Sequence, residues 1–523
     1  MTVVANFIWF LSTIGDRWKW SRAKRDVATV QKERLLELIK ENQDTAFGRD
    51  FNFANINSIA DYQKQVPIQS YQEFEPYIER IAKGEDSVLT TEKVKLFEPS
   101  SGTTSGKKII PYTNKLQAEF QVGINIWLNQ LYLKYPKLFL GKMYWSISPV
   151  AEQERSVGGV PIGFMDDAEY LGVIQKRLKN TLMVMPDSMK EIKEVKAFQY
   201  HTALYLLAEE KLSLISVWHP SFFMLILDVI EEHWEQFIAE IRVIKSKRAD
   251  VLEKLDNRRD YEKIWQNLAL ISCWGDAQAE HSFEQLRGLF PNTPFESKGL
   301  IATEGFISFP HRDQEGANLS ILSHFFEFRE SQNDEIFLAH ELEQGKEYSV
   351  IITTSGGLYR YEIGDMVRVM GFDKDCPIIK FIGKKDYFVD MCGEKLSEIE
   401  VDVTVKKVLK TFGLKPNFWM VAPTRDEDGK VNYTLFIQIH ETLEKDKILF
   451  EIDQLLQANF HYKYCRELGQ LGVLEWFAID STENPVKRYF EVSQAEGKQL
   501  GDIKPKVLHG RVDWDEVFNG VFL

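Results

Sequence analysis

The sequence predicts an α/β fold in two parts, a large N-terminal domain and a smaller C-terminal one. Three observations predict it. Short apolar runs with the length of buried strands, at residues 142–150, 212–218 and 268–274, alternate with stretches of helical spacing. From residue 321 to 369 the pattern becomes β-rich, with strict alternation at 348–353 and 366–369. At Lys384-Lys385-Asp386 the character changes, and a separate α/β module follows.

Residues 1–85 are mostly helical by pattern. Residues 27–40 place apolar side chains on one helical face, and Phe47-Gly48-Arg49-Asp50 suggests a turn. The first residues are unusual. Phe7-Ile8-Trp9-Phe10-Leu11 precedes Arg17-Trp18-Lys19-Trp20 and further basic residues up to Arg25. A secretory leader has the opposite order, charge before the apolar stretch. The preferred expectation is a helix docked on its own domain; the alternative is an amphipathic helix at a membrane interface.

The stretch at 98–113, Glu-Pro-Ser-Ser-Gly-Thr-Thr-Ser-Gly-Lys-Lys-Ile-Ile-Pro-Tyr-Thr, organises the rest. Seven small or hydroxylic residues, 100–106, form neither a packed helix nor a strand. Gly102 and Gly106 permit close backbone approach, and Ser100, Ser101, Thr103, Thr104 and Ser105 supply hydroxyls. Lys107 and Lys108 add positive charge. Successive backbone N–H groups in such a loop form an anion-binding concavity, so the stretch is a candidate phosphate cradle. Apolar residues on both sides anchor it between strands, which argues against a polar linker. It is not a P-loop: only three residues separate Gly102 from Gly106-Lys107, and Lys108 stands where a hydroxyl belongs.

Farther along, a long helix is expected from 114 to 133, ending before Pro136. A second glycine-rich loop lies at 157–163, either a pocket wall or a plain turn. His219-Pro220 opens a helix over 221–233. Residues 240–262 are densely charged, as on a solvated helical surface. In the C-terminal module, helices are expected at 398–412 and 444–460, and strands at 433–440 and 473–479.

Composition excludes several classes. There are 64 Lys and Arg against 78 Asp and Glu, a net charge of −14, which disfavours nucleic-acid binding. Cys273, Cys376, Cys392 and Cys465 are far apart, form no CxxC pair, and suggest a reducing cytoplasmic setting without a zinc site. No apolar run reaches the roughly 18 residues of a membrane span.

Several segments fall in a set order: the 100–107 loop, Gly275-Asp276-Ala277, Thr303-Glu304, Tyr359-Arg360-Tyr361-Glu362-Ile363-Gly364-Asp365, Gly383-Lys384-Lys385-Asp386, and Gly393-Glu394-Lys395-Leu396-Ser397-Glu398-Ile399-Glu400. The order resembles that of the adenylate-forming enzymes. Within them, Ser-Ser-Gly-Thr-Thr and Ile351-Ile352-Thr353-Thr354-Ser355-Gly356-Gly357-Leu358-Tyr359-Arg360-Tyr361 resemble the Gretchen Hagen family of acyl-acid amido synthetases, over roughly residues 95–510.

The resemblance implies a large N-terminal domain, 1–383, of β-sheets flanked by helices with a small β-barrel-like part. A hinge at 384–390 centred on Asp386 and a small mobile α/β domain, 391–523, would follow. It implies use of ATP and magnesium to activate a small carboxylic acid and join it to an amine, in the first instance an amino acid. Ser100, Ser101, Thr103, Thr104 and Ser105 would hold the phosphates. Glu304 would be the magnesium ligand, since a hard carboxylate oxygen suits an ion that also touches phosphate. Thr303 would donate to the α-phosphate. Asp365 would accept both ribose hydroxyls, a match of two acceptor oxygens to a diol. Gly275, Asp276 and Ala277 would lie against adenine, and Lys384 would stand where an Arg often contacts ribose. Lys504 is the candidate catalytic lysine, with Lys498 and Lys506 as alternatives. Trp218 and Phe222 are candidates for the acyl pocket. His219 is given no catalytic role. Relatives often carry a Tyr where this chain has Leu300. An acyl-CoA ligase on the same fold, or a non-catalytic nucleotide- or hydrophobic-ligand-binding protein, would be the alternatives. The sequence leaves the acid, the amine and the oligomeric state open.

Overall fold

The structure is a computed structural model that describes residues 1–100, 108–146, 155–157, 159–163, 173–192, 194–255, 257–331, 333–385, 387–426, 429–439, 444–498 and 503–523. Two compact units emerge. The first comprises Met1–Gly275 and Leu286–Phe381, the second Asp276–Gln285 and Ile382–Leu523.

The first unit begins with α1 (Thr2–Ala23) and α2 (Val27–Glu41). The inner face of α1 is tied down by Asn6, whose amide donates to Phe139 O and Gly141 O, and by Trp9, which is fully buried. This is the docked helix that the sequence favoured. The Phe47–Asp50 turn does not form. A short helix, Ala46–Asp50, stands there, capped by the Thr45 hydroxyl on the Gly48 N–H. Gly48 serves close packing instead: a Cβ on it would lie 2.1 Å from the Asn42 carbonyl.

Strands β1 (Leu96–Ser100) and β2 (Lys108–Tyr112) pair antiparallel, with Ser100 opposite Lys108. The cradle residues Ser101, Thr103, Thr104 and Ser105 lie outside the described residues. Helix α3 (Asn114–Lys134) follows, capped by Thr113. The second glycine-rich loop is a hairpin, Arg155–Val157 against Val160–Ile162, that continues the β1 sheet.

Strands β3 (Lys142–Trp145), β4 (Leu212–Ser216), β5 (Leu270–Cys273) and β6 (Phe295–Ser297) form a parallel sheet in chain order. Every residue of β4 and β5 is buried, which explains their largely apolar runs, serines included. Helix α4 (Pro220–Glu232) follows β4. A small hairpin, β7 (Ile301–Ala302) and β8 (Gly305–Phe306), comes next.

The β-rich region is a seven-stranded sheet: β9 (Ser308–Pro310), β10 (Ala317–Leu319), β11 (Phe325–Glu330), β12 (Ile336–Leu338), β13 (Glu347–Thr353), β14 (Tyr361–Asp373) and β15 (Cys376–Lys384). Its order is β9-β10-β15-β14-β13-β11-β12. Where a barrel-like part was expected, β9 and β12 stand at the two ends of that order, and among the described residues no pairing joins them.

The second unit carries β16 (Phe388–Val389), β17 (Leu396–Ser397) and α5 (Glu398–Thr411), whose Ser397 and Glu400 form a reciprocal cap. A four-stranded sheet follows, from β18 (Phe418–Arg425), β19 (Val431–Gln438), β20 (Glu475–Ile479) and β21 (Gly520–Phe522), with α6 (Phe460–Glu467) between β19 and β20 in the chain. Its core, including Val401, Leu435 and Trp476, is distinct from that of the first unit. Segment 276–285 belongs with this unit: Lys406 Nζ donates to Ala277 O and to Glu280, and His281 Nε2 lies 2.9 Å from Asn417 O.

Candidate functional site

The site is built around the turn between β7 and β8, which consists of Thr303 and Glu304. Three contacts hold that turn. The Tyr112 hydroxyl of β2 donates to Thr303 O at 2.7 Å. The Phe306 N–H donates to His324 Nε2 at 2.9 Å. Phe306 itself packs on Gly123 of α3, where a Cβ would lie 2.2 Å from the ring, so only glycine lets helix and hairpin come so close.

His324 links the turn to a buried charge network. Because its Nε2 accepts that hydrogen bond, its ring proton sits on Nδ1, which lies 3.0 Å from Glu119 Oε2. Glu119 also pairs with Arg34 of α2, and the Ser355 N–H points at it from 3.3 Å. Glu119 is tolerably buried because it faces Arg34 and the Ser355 N–H; His324 Nδ1 approaches it without a hydrogen bond of good geometry.

Glu304 is 8% exposed, and its Oε1 lies 3.5 Å from Ser100 Oγ, at the end of β1. The charge of Glu304 also reaches two phenols. Tyr361 is pushed far above the usual phenol range, first by burial and then by Glu304, Tyr71 and Asp365. Tyr71 is raised by burial, partly opposed by its bond from the Ile109 N–H, with Glu75 and Glu304 adding to the rise. Lys108 Nζ lies 3.5 Å from Tyr361 Oη and 5.7 Å from the Tyr71 ring. Lys108 and Glu304 thus bear on both tyrosines, Asp365 on Tyr361, and Ser100 meets Glu304.

Asp365 reaches this place through an irregularity in β14. Ser349 faces Met366 and Ile351 faces Glu362, so Val350 alone spans Ile363, Gly364 and Asp365. Gly364 sits at φ +77°, a conformation open to glycine, and the bulge lifts Asp365 off the ladder. The start of β14 is pinned by Arg360. Its guanidinium makes two 2.9 Å bonds to Glu327 and donates to Gln63 O and Val66 O. Arg360 adopts φ +47°, a strained backbone that this buried fork holds in place.

The parallel sheet presents a second group of residues at its carboxyl ends, where open α/β sheets bind ligands. Trp218, after β4, is 40% exposed. Lys298, after β6, stands 5.6 Å over the Trp218 ring and 4.8 Å over Trp127, and donates to Ser216 Oγ at 2.7 Å. Trp127 donates to Glu296, whose carboxyl is raised by burial. Phe222 is buried in α4. His219 caps that helix, its Nδ1 accepting from the Ser221 N–H, which accounts for it without chemistry. Gly275, after β5, donates to Ser297 Oγ. Leu300 packs against the main core.

The remaining predicted residues belong to the second unit. Asp276 and Ala277 lie in its first segment, and Ala277 takes φ +50°. Lys384 ends β15, and Asp386 lies outside the described residues. Lys504 is exposed, and its carbonyl accepts from the Tyr489 hydroxyl at 3.4 Å. Lys498 pairs with Glu496 at 3.0 Å. Lys506 differs: its ammonium stands 3.5 Å over the Tyr387 ring, and burial pushes its pKa down while Glu398 opposes the fall.

Sequence separation concealed one cluster. The sulfurs of Cys392 and Cys465 and an oxygen of Glu394 lie within 4.8 Å of one another. Glu394 already accepts from the Met391 and Cys392 N–H groups and from the Tyr433 hydroxyl. Cys392 donates to it at 3.3 Å, and Cys465 to Cys392 O at 3.6 Å. These bonds tie residues 391–394 to α6 and leave Glu394 well satisfied.

Lys298, Trp127, Arg360 and His324 were not singled out from the sequence. Trp218 closes the apolar run at 212–218, which is a usable signal; Lys298 follows Phe295-Glu296-Ser297, which is not. Nothing near Arg34, Glu119 or His324 in the sequence reports that they meet.

Comparison with known proteins gives a consistent set of matches. The sequence profile described as the GH3 family N-terminal domain matches residues 19–295, and that of the GH3 family central domain matches residues 318–384. The probable indole-3-acetic acid-amido synthetase GH3.12 of Oryza sativa subsp. japonica is 22% identical over 540 residues, covering 87% of each chain. The jasmonoyl–L-amino acid synthetase JAR4 of Nicotiana attenuata is 22% identical over 505 residues, covering 86% of each. The solved AtGH3.15 acyl acid amido synthetase in complex with 2,4-DB superposes with a TM-score of 0.80 at 17% identity, covering 97% of this chain and 95% of the other.

Proposed function

The chain belongs to the GH3 family, and from that premise we propose that it is an ATP-dependent ligase that activates a small carboxylic acid and passes its acyl group to an amine, foremost an amino acid. The names of its relatives, indole-3-acetic acid-amido and jasmonoyl–amino acid synthetases, support this reading. The observation that supports it is that the buried carboxylate of Glu304 lies 3.5 Å from Ser100 Oγ and, with Asp365, acts electrostatically on the Tyr361 phenol.

In the first half-reaction an acid oxygen bonds to the α-phosphorus of ATP while the bond to the bridging oxygen breaks, and pyrophosphate leaves with that electron pair. Negative charge accumulates, so fixed donors and cations matter most. Ser100 and the cradle hydroxyls Ser101, Thr103, Thr104 and Ser105 bind phosphate oxygens, and Thr303 donates to the α-phosphate. The buried carboxylate of Glu304, beside hydroxyl oxygens, offers the hard donors that suit magnesium. When bound, that ion screens the phosphate charge. Asp365 accepts the ribose hydroxyls; Gly275, Asp276 and Ala277 line the base, with Lys384 toward the ribose. Trp218 and Phe222 shape the acyl pocket. A lysine of the C-terminal domain, Lys504, assists adenylation only, and the hinge at Asp386 lets that domain turn for the second half. There the amine bonds to the acyl carbon, the bond to AMP breaks, and the amine proton passes to solvent.

Pyrophosphate exchange with indole-3-acetate, jasmonate and simple aromatic acids, followed by product analysis with amino acids or CoA, tests the reading. Acid-dependent exchange and an amide product are expected. A thioester with CoA and no amide would make it an acyl-CoA ligase. Nucleotide binding without exchange for any acid would leave a binding protein.

A further inference from the structure

Helix α1 has two apolar faces. The inner one packs on the first unit through Trp9 and Trp20, both buried. The outer one carries Val4, Phe7, Leu11, Ile14 and Trp18, spaced by three or four residues and each 42–63% exposed. Val3 and Ile8 widen this strip. No charged side chain occurs before Asp16, which accepts from Asn125 of α3 and lies 3.9 Å from Lys19. A continuous exposed strip of this kind marks an interaction surface.

The far end of the strip is basic. Arg22 and Arg25 continue the line beyond Trp18, and Lys19 flanks it. The Arg22 guanidinium stacks 3.5 Å over the outward-facing Trp18 ring. The pKa of Arg17 is lowered first by burial and then by the charge of Arg312. Lys24 is turned the other way, held by both oxygens of Asp373, which anchors the helix and keeps the strip outward. On a chain of net charge −14 this basic end is a local exception.

We propose that the outer face of α1 docks on the surface of an anionic phospholipid bilayer. The apolar strip enters the boundary between headgroups and acyl chains, Trp18 lies at headgroup level, and Arg22, Arg25 and Lys19 meet lipid phosphates. The acidic remainder of the molecule is screened beyond about 10 Å at ordinary salt. Among the described residues no helix is long and apolar enough to cross a membrane, so α1 lies on the surface. A second copy of the chain is the weaker occupant. A stable dimer uses about 20–30 residues a side, and this strip offers fewer than ten.

Sedimentation of the full-length protein with vesicles of phosphatidylcholine and phosphatidylserine, 7:3, tests the proposal. Binding is expected, falling as salt rises, and weak on phosphatidylcholine alone. Leu11→Glu should lower the bound fraction by about tenfold or more. Arg22→Glu with Arg25→Glu should reduce binding on the mixed vesicles to the phosphatidylcholine level. Both sites are exposed, so thermal stability and pyrophosphate exchange should be unchanged; if Leu11→Glu fails to fold, Trp18→Ser replaces it. No binding to the mixed vesicles overturns the proposal, as does binding that Leu11→Glu or Trp18→Ser leaves intact. A dimer in sedimentation velocity that Leu11→Glu converts to monomer, without vesicle binding, assigns the face to a second copy instead.

Discussion

Glu304 owes its place to atoms far from it in sequence: the Tyr112 hydroxyl on one side of its turn and His324 on the other. Glu304→Gln keeps the shape and removes the charge, and should lower pyrophosphate exchange by about 10²–10³-fold with little change in stability; equal activity would remove Glu304 from the mechanism. His509 gives a second test, in pH. Burial, with Lys506 and Lys498 nearby, lowers its pKa to about 3, and its Nδ1 accepts from the Arg511 N–H and the Trp514 indole. The folded state therefore holds it neutral while the unfolded chain protonates it near 6.5. Below that pH the unfolded state binds the extra proton, so stability falls as pH drops from about 6.5 toward 3, by up to about 1.4 kcal/mol per pH unit. Glu398, raised by burial, works in the opposite direction, so the comparison is with His509→Asn, whose side-chain oxygen can still accept. Thermal melts at pH 7.5 and 5 should show a smaller acid loss in the variant. Glu304 and Asp365 were legible as residues from their motifs. His324 and His509 were not, because a histidine's role depends on what faces each ring nitrogen.

At the scale of elements, β14 shows how irregularity serves a site. A regular strand would alternate Asp365 with its neighbours on the ladder; the bulge at Gly364 frees it, and the Arg360 fork sets where the strand begins. Arg360→Met strands the Glu327 carboxylate in the core and should cost about 3–5 kcal/mol in urea unfolding. Replacing Glu327 by Gln in the same chain should recover part of that loss, whereas a further drop would mean that Arg360 acts through its carbonyl partners alone. The helices at 27–41, 114–134 and 398–411 were legible because period and caps agree, as with Thr113 before α3 and Ser397-Glu400 at α5. The 46–50 helix was missed because Phe-Gly-Arg-Asp carries turn residues, while the Thr45 cap and the tight contact at Gly48 favour a helical turn.

At the scale of the molecule, two units with separate cores should unfold in separable calorimetric steps, and acidification should move the one that contains His509. The lysine question belongs to this scale too. Lys504→Ala should lower pyrophosphate exchange by about 10²–10³-fold yet still convert a preformed acyl-adenylate to amide. The same profile in Lys506→Ala, with Lys504→Ala inert, would transfer the role to Lys506, whose ammonium lies desolvated over Tyr387.

By itself the sequence determined the α/β class, the order of the motifs and the kinds of residue that phosphate chemistry needs. These are local matters, set by side-chain period, by turn chemistry and by the rarity of hydroxyl-glycine runs between strands. Only the tertiary structure decided that Ser100 meets Glu304, that Lys108 meets Tyr71 and Tyr361, that Arg34, Glu119 and His324 form a chain, and that Cys392 meets Cys465. Such meetings depend on strand register and on close approaches such as Gly123 to Phe306, which pairing between distant segments sets and no local pattern encodes.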